Sequence, residues 1–233
     1  MKFLNKKLLI FDLDGTLIDS VPDLAAAINA MLTELKQETF DENKIRFWVG
    51  NGAQTLVKRA LLGKREIDDF IEDSHYLKAL EIFLEIYKTN LCIETKLYAD
   101  VKETLQELHN MGYILTIVTN KPSAFIKPIL KKLAIEEYFL CTLGADSLDE
   151  KKPSPKPLLH LCKELHIKPE QTLMIGDSKN DIIAAKSANI ESIALSYGYN
   201  YGEDIAYYKP DAIIDEFKTL KIVLGKEDAK QKK

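Results

Sequence analysis

The stretch Lys7-Leu8-Leu9-Ile10-Phe11-Asp12-Leu13-Asp14-Gly15-Thr16 decides how this chain is read. Four consecutive apolar residues are what a strand buried on both faces requires. The run stops at Asp12, and Asp14-Gly15 is a turn signal: aspartate bonds nearby backbone and glycine accepts positive φ. In an open parallel sheet, ligands bind outside the carboxyl ends of the strands, so a strand that ends on two carboxylates and a turn points to a site.

The same alternation continues beyond Tyr98. Asp100 is placed to cap a helix that runs to Met111 and closes at Gly112. Ile114–Thr119 reads as a strand, Ser123–Leu133 as a helix and Phe139–Leu143 as a strand. Pro155–Leu165 is a helix, Thr172–Ile175 a strand and Asp177–Ala188 a helix, with Asn189 at its end able to adopt left-handed geometry. Ser192–Leu195 and Ala212–Ile214 complete the strands, and Glu216–Leu224 closes the chain as a helix. This order predicts an α/β fold with a Rossmann-like parallel sheet covered by helices on both faces.

The first strand and the second are separated by a different pattern. Pro22 can begin a helix, and Leu24, Ile28, Met31, Leu32 and Leu35 recur at helical spacing, as do apolar residues in Gln54–Leu62 and Tyr76–Tyr87. The expected organisation is a core of residues 1–19 and 96–225, an inserted all-α cap over 20–95, and a polar tail over 226–233.

Composition narrows the function classes. The 233 residues are 46% hydrophobic, enough for a buried core and unlike a disordered chain. Lys plus Arg number 32 against 36 Asp plus Glu, a net −4 that offers no basic footprint for nucleic acid or an anionic membrane. No apolar run approaches the ~18 residues of a membrane span. Lys2, Lys6 and Lys7 precede apolar residues, but that run ends at Asp12, short of the ~7–15 residues of a secretory signal, so a cytoplasmic protein is expected. Cys92, Cys141 and Cys162 form no C-x-x-C pair, and His75, His109, His160 and His166 form no metal-ligand spacing. A phosphate-binding G-x-x-x-x-G-K-[ST] loop is absent, which excludes a P-loop kinase.

Four predicted strand ends carry polar residues of one kind: Asp12 and Asp14, then Thr119-Asn120, then Lys152 in the following loop, then Asp177 and Asp181. Carboxylates meeting at one crevice repel unless a cation lies among them. Hard oxygen donors with open positions suit Mg²⁺. A lysine, a threonine hydroxyl and loop amides beside it make a phosphate cradle. The constellation fits metal-assisted phosphoryl transfer. Lys121 and Lys156, ordinary lysines beside proline, stand outside this set.

Asp12-Leu13-Asp14-Gly15-Thr16, Thr119-Asn120, Lys152 and Gly176-Asp177-Ser178-Lys179-Asn180-Asp181 resemble, in order and spacing, the four motifs of the haloacid dehalogenase superfamily phosphatases. The resemblance implies that Asp12 attacks phosphorus and carries an aspartyl-phosphate, and that Asp14 is the general acid and base. It further implies that Asp12, the Asp14 carbonyl and Asp177 hold Mg²⁺, and that Asp181 holds its waters or orients Lys152. Thr119, Asn120 and Lys152 would stabilise the transferring phosphoryl oxygens. The insertion corresponds to a small helical cap in that family, with crossings near Asp19 and Thr95–Leu97.

Trp48-Val49-Gly50-Asn51-Gly52-Ala53, Leu56–Leu61 and Tyr197-Gly198-Tyr199-Asn200-Tyr201-Gly202 narrow the resemblance to the bacterial phosphoglycolate phosphatase branch. Gly50, Asn51 and Gly52 would then offer close amides to a small carboxylate, with Arg59 supplying positive charge, and 2-phosphoglycolate is the expected substrate. Pyrophosphate, a sugar phosphate, or a phosphoglucomutase-type transfer are the alternatives. A non-catalytic binding module predicts loss of Asp12 or Asp14, and both are present. A small phosphorylated metabolite is the expected partner, and the protein is expected to be a monomer or homodimer.

Overall fold

The computed structural model describes residues 3–225, so the expected polar tail lies outside the described residues. Strand β1 (Leu8–Phe11) is central in a six-stranded sheet with β4 (Ile114–Val118), β5 (Phe139–Leu143), β6 (Thr172–Gly176), β7 (Glu191–Leu195) and β8 (Ala212–Ile214). The order is β5-β4-β1-β6-β7-β8, and every pairing is parallel. β1 pairs with β4 on one side and β6 on the other, which brings three strand ends together.

Side-chain alternation along β1 divides the core. Leu9 and Phe11 face α5 (Val101–Asn110) and α6 (Ser123–Lys132), with Leu105, Leu108, Ile126 and Ile129 in the same cluster. Leu8 and Ile10 face α7 (Lys156–Glu164) and α8 (Lys179–Ser187), against Leu158, Leu161, Ala184 and Ala185. All four β1 side chains are fully buried, each worth about 1.5–3 kcal/mol. The expected parallel α/β sheet with helices on both faces is what the chain forms.

Helices α1 (Val21–Glu34), α2 (Glu42–Arg46), α3 (Ala53–Leu62) and α4 (Asp73–Thr89) fill the stretch between β1 and β4. α1 and α4 pack along one another through Met31, Ala79 and Phe83, among others. Two short strands, β2 (Ile18–Asp19) and β3 (Lys96–Leu97), pair antiparallel where the chain leaves the sheet and returns to it. Asp23, at the start of α1, is buried and clamps the returning chain. Its carboxylate accepts the backbone N–H of Ile93 (2.9 Å), Glu94 (2.8 Å) and Thr95 (3.0 Å), and the Thr95 hydroxyl.

Three local expectations change. Asp100 adopts left-handed geometry (φ 62°) and makes no capping bond; its carboxylate instead lies 3.6 Å from Lys218 Nζ. The closing helix is a 3₁₀ turn over Phe217–Thr219 followed by the short α9 (Leu220–Val223). α2, β2 and β3 were not foreseen, being too short to show a period. Asn189 is left-handed, at φ 54°.

The Asp23 clamp predicts that Asp23→Ala loses about 2–4 kcal/mol of stability in urea unfolding, because backbone donors lose a charged acceptor. A loss under about 0.5 kcal/mol would contradict the clamp.

Candidate active site

The site begins where β1 stops. Asp12 N–H donates to the Ile175 carbonyl (2.9 Å), the last rung of the β1–β6 ladder. The chain then folds back: the N–H groups of Leu17 and Ile18 donate to the Leu13 carbonyl at 2.9 and 3.1 Å, and that of Gly15 to Ile18 at 2.9 Å. Gly15 has φ +89°, and a Cβ there would meet Asp177 Oδ2 at 2.3 Å. Residues two apart on an extended strand face opposite ways; this turn brings Asp14 back, so that Asp12 and Asp14 line one cavity.

Asp12, Asp177 and Asp181 offer carboxylate oxygens within 4.8 Å of one another, all buried. Lys152, 2% exposed, places Nζ 2.9 Å from Asp12 Oδ1 and 2.6 Å from Asp181 Oδ1. Leu13 N–H also donates to Asp12 Oδ1 (2.7 Å), so among the described residues the protein donors occupy that oxygen and leave Oδ2 open. Asp181 Oδ2 accepts the Ser178 N–H (3.0 Å) and hydroxyl (2.8 Å), a capping box that fixes the start of α8 and aims Oδ1 at Lys152. Asp177 accepts the Thr16 hydroxyl at Oδ1 and the Tyr199 N–H at Oδ2, both at 2.8 Å.

One ammonium does not neutralise three buried carboxylates. Burial pushes Asp12 up to about 7; Lys152 opposes the rise and Asp181 adds to it. Asp177 is held well above the usual carboxylate range by burial and by its neighbours Asp12 and Asp181. Two oxygen-donor carboxylates that resist ionisation beside an already paired lysine are a donor set for a hard divalent cation, and Mg²⁺ fits it.

Thr119 follows β4 directly, and with Asn120 and Lys121 it lines the same cavity. Asn120 Nδ2 donates to the carbonyls of Lys152 (3.0 Å) and Gly50 (3.1 Å), tying three loops together. Lys121 corrects the sequence reading. It is buried rather than solvated, with Nζ 2.8 Å from Asp14 Oδ1 and 4.9 Å from the centre of the Tyr87 ring. Burial draws its pKa down, but the Asp14 charge outweighs that and the net direction is up. The Ser20 hydroxyl also donates to Asp14 Oδ1. Lys156, by contrast, is solvent-facing and pairs with Asp149 and Glu150.

The insertion meets the core through the Gly50–Gly52 loop. Gly50 (φ +121°) passes so close to Tyr201 that a Cβ would lie 2.5 Å from its hydroxyl oxygen. Its carbonyl accepts from Asn120 and from Asn180 (3.1 Å), and the Asn51 carbonyl accepts from Lys151 Nζ (2.8 Å). Gly50 and Gly52 line the cavity; Asn51 does not. Nor does Arg59, which the sequence reading placed on the substrate. Its Nη1 donates to the Trp48 carbonyl (2.6 Å), its Nε to the Arg65 carbonyl (2.8 Å), and its guanidinium stacks over Tyr201. The guanidinium is thus committed to bracing the loop.

The chain belongs to the haloacid dehalogenase-like hydrolases, whose family model matches residues 9–195. It is 52% identical over 224 residues to a phosphoglycolate phosphatase of Colwellia psychrerythraea, covering 96% of this chain and 99% of that one. A phosphoglycolate phosphatase of Psychrobacter arcticus is 47% identical over 218 residues, covering 93% and 95%. Among solved structures, a predicted phosphoglycolate phosphatase from Haemophilus somnus superposes with a TM-score of 0.88 at 43% identity, covering 94% of this chain and 98% of that one. Among the described residues no helix is long and apolar enough to cross a membrane.

Beside the loop, Glu203 accepts from Arg65 of the insertion and from Tyr208 and Lys179 of the core. The Tyr208 and Arg65 hydrogen bonds lower it to about 2. A carboxylate depressed on folding stabilises the native state fully above its unfolded pKa of ~4.3 and loses that contribution as pH falls towards the folded value. The melting-temperature gap between wild type and Glu203→Gln should therefore be widest near neutral pH and close progressively as pH falls from about 4 towards about 2. A gap that does not change with pH would contradict the assignment.

Proposed function

We propose that this chain is a Mg²⁺-dependent phosphomonoester hydrolase that works through an aspartyl-phosphate on Asp12, with 2-phosphoglycolate as substrate. The observation that carries the reading is the placement of Asp12. Its Oδ1 is held by Lys152 and the Leu13 amide, and its Oδ2 is open beside Asp14 in a shared cavity. The substrate name is supported by the relatives called phosphoglycolate phosphatase.

Bound by Asp12, Asp177 and the Asp14 carbonyl, Mg²⁺ would supply the positive charge that lets these carboxylates and a phosphate share one site. The Thr119 hydroxyl, the Asn120 backbone N–H and the Lys152 ammonium receive the non-bridging phosphoryl oxygens. Asp12 Oδ2 attacks phosphorus as the bond to the leaving oxygen breaks, and Asp14, acting as general acid once substrate is bound, delivers a proton to that oxygen. Asp14, now ionised, takes a proton from water; the water oxygen attacks phosphorus, and Asp12 is released as a carboxylate with inorganic phosphate. Asp181 keeps Lys152 in line throughout. The insertion, as a cap, excludes bulk water while the acyl phosphate exists.

Asp12→Asn should keep its fold by circular dichroism and lose more than about 10³-fold in kcat; appreciable turnover would refute the nucleophile assignment. EDTA should abolish activity and added Mg²⁺ restore it, so metal-independent hydrolysis would sink the metal role. Across a panel of small phosphoesters, pyrophosphate and sugar phosphates, kcat/KM should favour 2-phosphoglycolate by more than about tenfold. A flatter profile would leave the chemistry standing and remove the substrate.

A further inference from the structure

An anionic leaving group needs a cation near the general acid. In 2-phosphoglycolate the carboxylate carbon is two bonds from the oxygen that Asp14 must protonate, so the group that binds it must stand close to Asp14. Arg59 is committed to the carbonyls of Trp48 and Arg65, and Lys152 to Asp12 and Asp181. Lys151 is held by the Asn51 carbonyl. Among the described residues that line the cavity, the one positive charge is Lys121, with Nζ 2.8 Å from Asp14 Oδ1.

We propose that Lys121 receives the carboxylate of the leaving group and so sets selectivity for anionic over neutral leaving groups, a role that rests on the phosphatase reading above. Its surroundings suit the task. Leu24, Phe83 and Phe125 wall the same cavity, and an ion pair formed against apolar walls is stronger than one in water. Tyr87, which also lines it, buries its hydroxyl, and the charged group that hydroxyl interacts with is Lys121. That hydroxyl is a second donor ready for a carboxylate oxygen. Lys121 thereby joins two events: it steadies Asp14 before reaction, and it anchors the group whose oxygen Asp14 protonates.

The test compares 2-phosphoglycolate with ethyl phosphate, of similar size but with an uncharged leaving group, on wild type, Lys121→Gln, Lys121→Met and Lys121→Arg. Glutamine can still donate to Asp14 but carries no charge. Both neutral variants should lose about 10–100-fold more kcat/KM on 2-phosphoglycolate than on ethyl phosphate, as expected for one charged hydrogen bond. Arginine should restore part of the preference. Equal losses on the two substrates would overturn the proposal and confine Lys121 to holding Asp14. Unfolding of both neutral variants would assign it to the fold and overturn the proposal too. A wild-type enzyme without preference for 2-phosphoglycolate removes the substrate reading itself, a result the wild-type arm shows before any variant is measured.

Discussion

The ammonium of Lys152 lies between two buried carboxylates, 2.9 Å from Asp12 and 2.6 Å from Asp181, and the arrangement of the site follows from that bridge. Asp12 comes from the end of β1, Asp181 from the first turn of α8, and Lys152 from the loop after β5, so the bridge ties three separate segments. Removing one partner would strand a charge in a low-dielectric interior, which is far more costly than losing a surface pair. The bridge also aims the nucleophile, because it uses one oxygen of Asp12 and leaves the other open. Asp177 adds a third carboxylate against a single ammonium, and that shortfall is what a divalent metal would complete.

The insertion is joined to this centre by contacts of a different strength. Gly50 and Asn51 offer backbone carbonyls to Asn120, Asn180 and Lys151, and Arg65 reaches Glu203. The neutral hydrogen bonds from Asn120 and Asn180 contribute only ~0.5–1.5 kcal/mol each, and the Arg65–Glu203 pair is partly exposed to solvent, which weakens it. The Asp23 clamp at the two crossings, in contrast, gathers four donors on one buried carboxylate. A firm pivot and a lightly held rim would suit the cap role proposed for the insertion.

Much of this was legible in the residues. Apolar runs that stop on Asp12, Thr119 and Asp177 mark strand ends, and the strand order brings Asp12, Asp14, Thr119, Asn120, Lys152, Asp177 and Asp181 together at the carboxyl end of the sheet. What escaped depends on contacts between distant positions. Lys121 reads as an ordinary lysine before proline, since its partner Asp14 is 107 residues away. Arg59 shows a charge in the sequence but not the carbonyls of Trp48 and Arg65 that engage it. In the loop Tyr197–Gly202, Tyr199 fastens Asp177 through its N–H and Asp19 through its hydroxyl, contacts that the residues alone do not announce. α2, with five residues, and β2, with two, are too brief for periodicity to register.

The claim on which the rest turns is that Asp12 carries the phosphoryl group. Rapid acid quench of the enzyme turning over ³²P-labelled substrate, followed by proteolysis and peptide mapping, tests it most directly. The account predicts a hydroxylamine-sensitive label on the peptide that contains Asp12, formed before inorganic phosphate is released. Label on another residue, or hydrolysis with inversion at phosphorus and no labelled peptide, would contradict it.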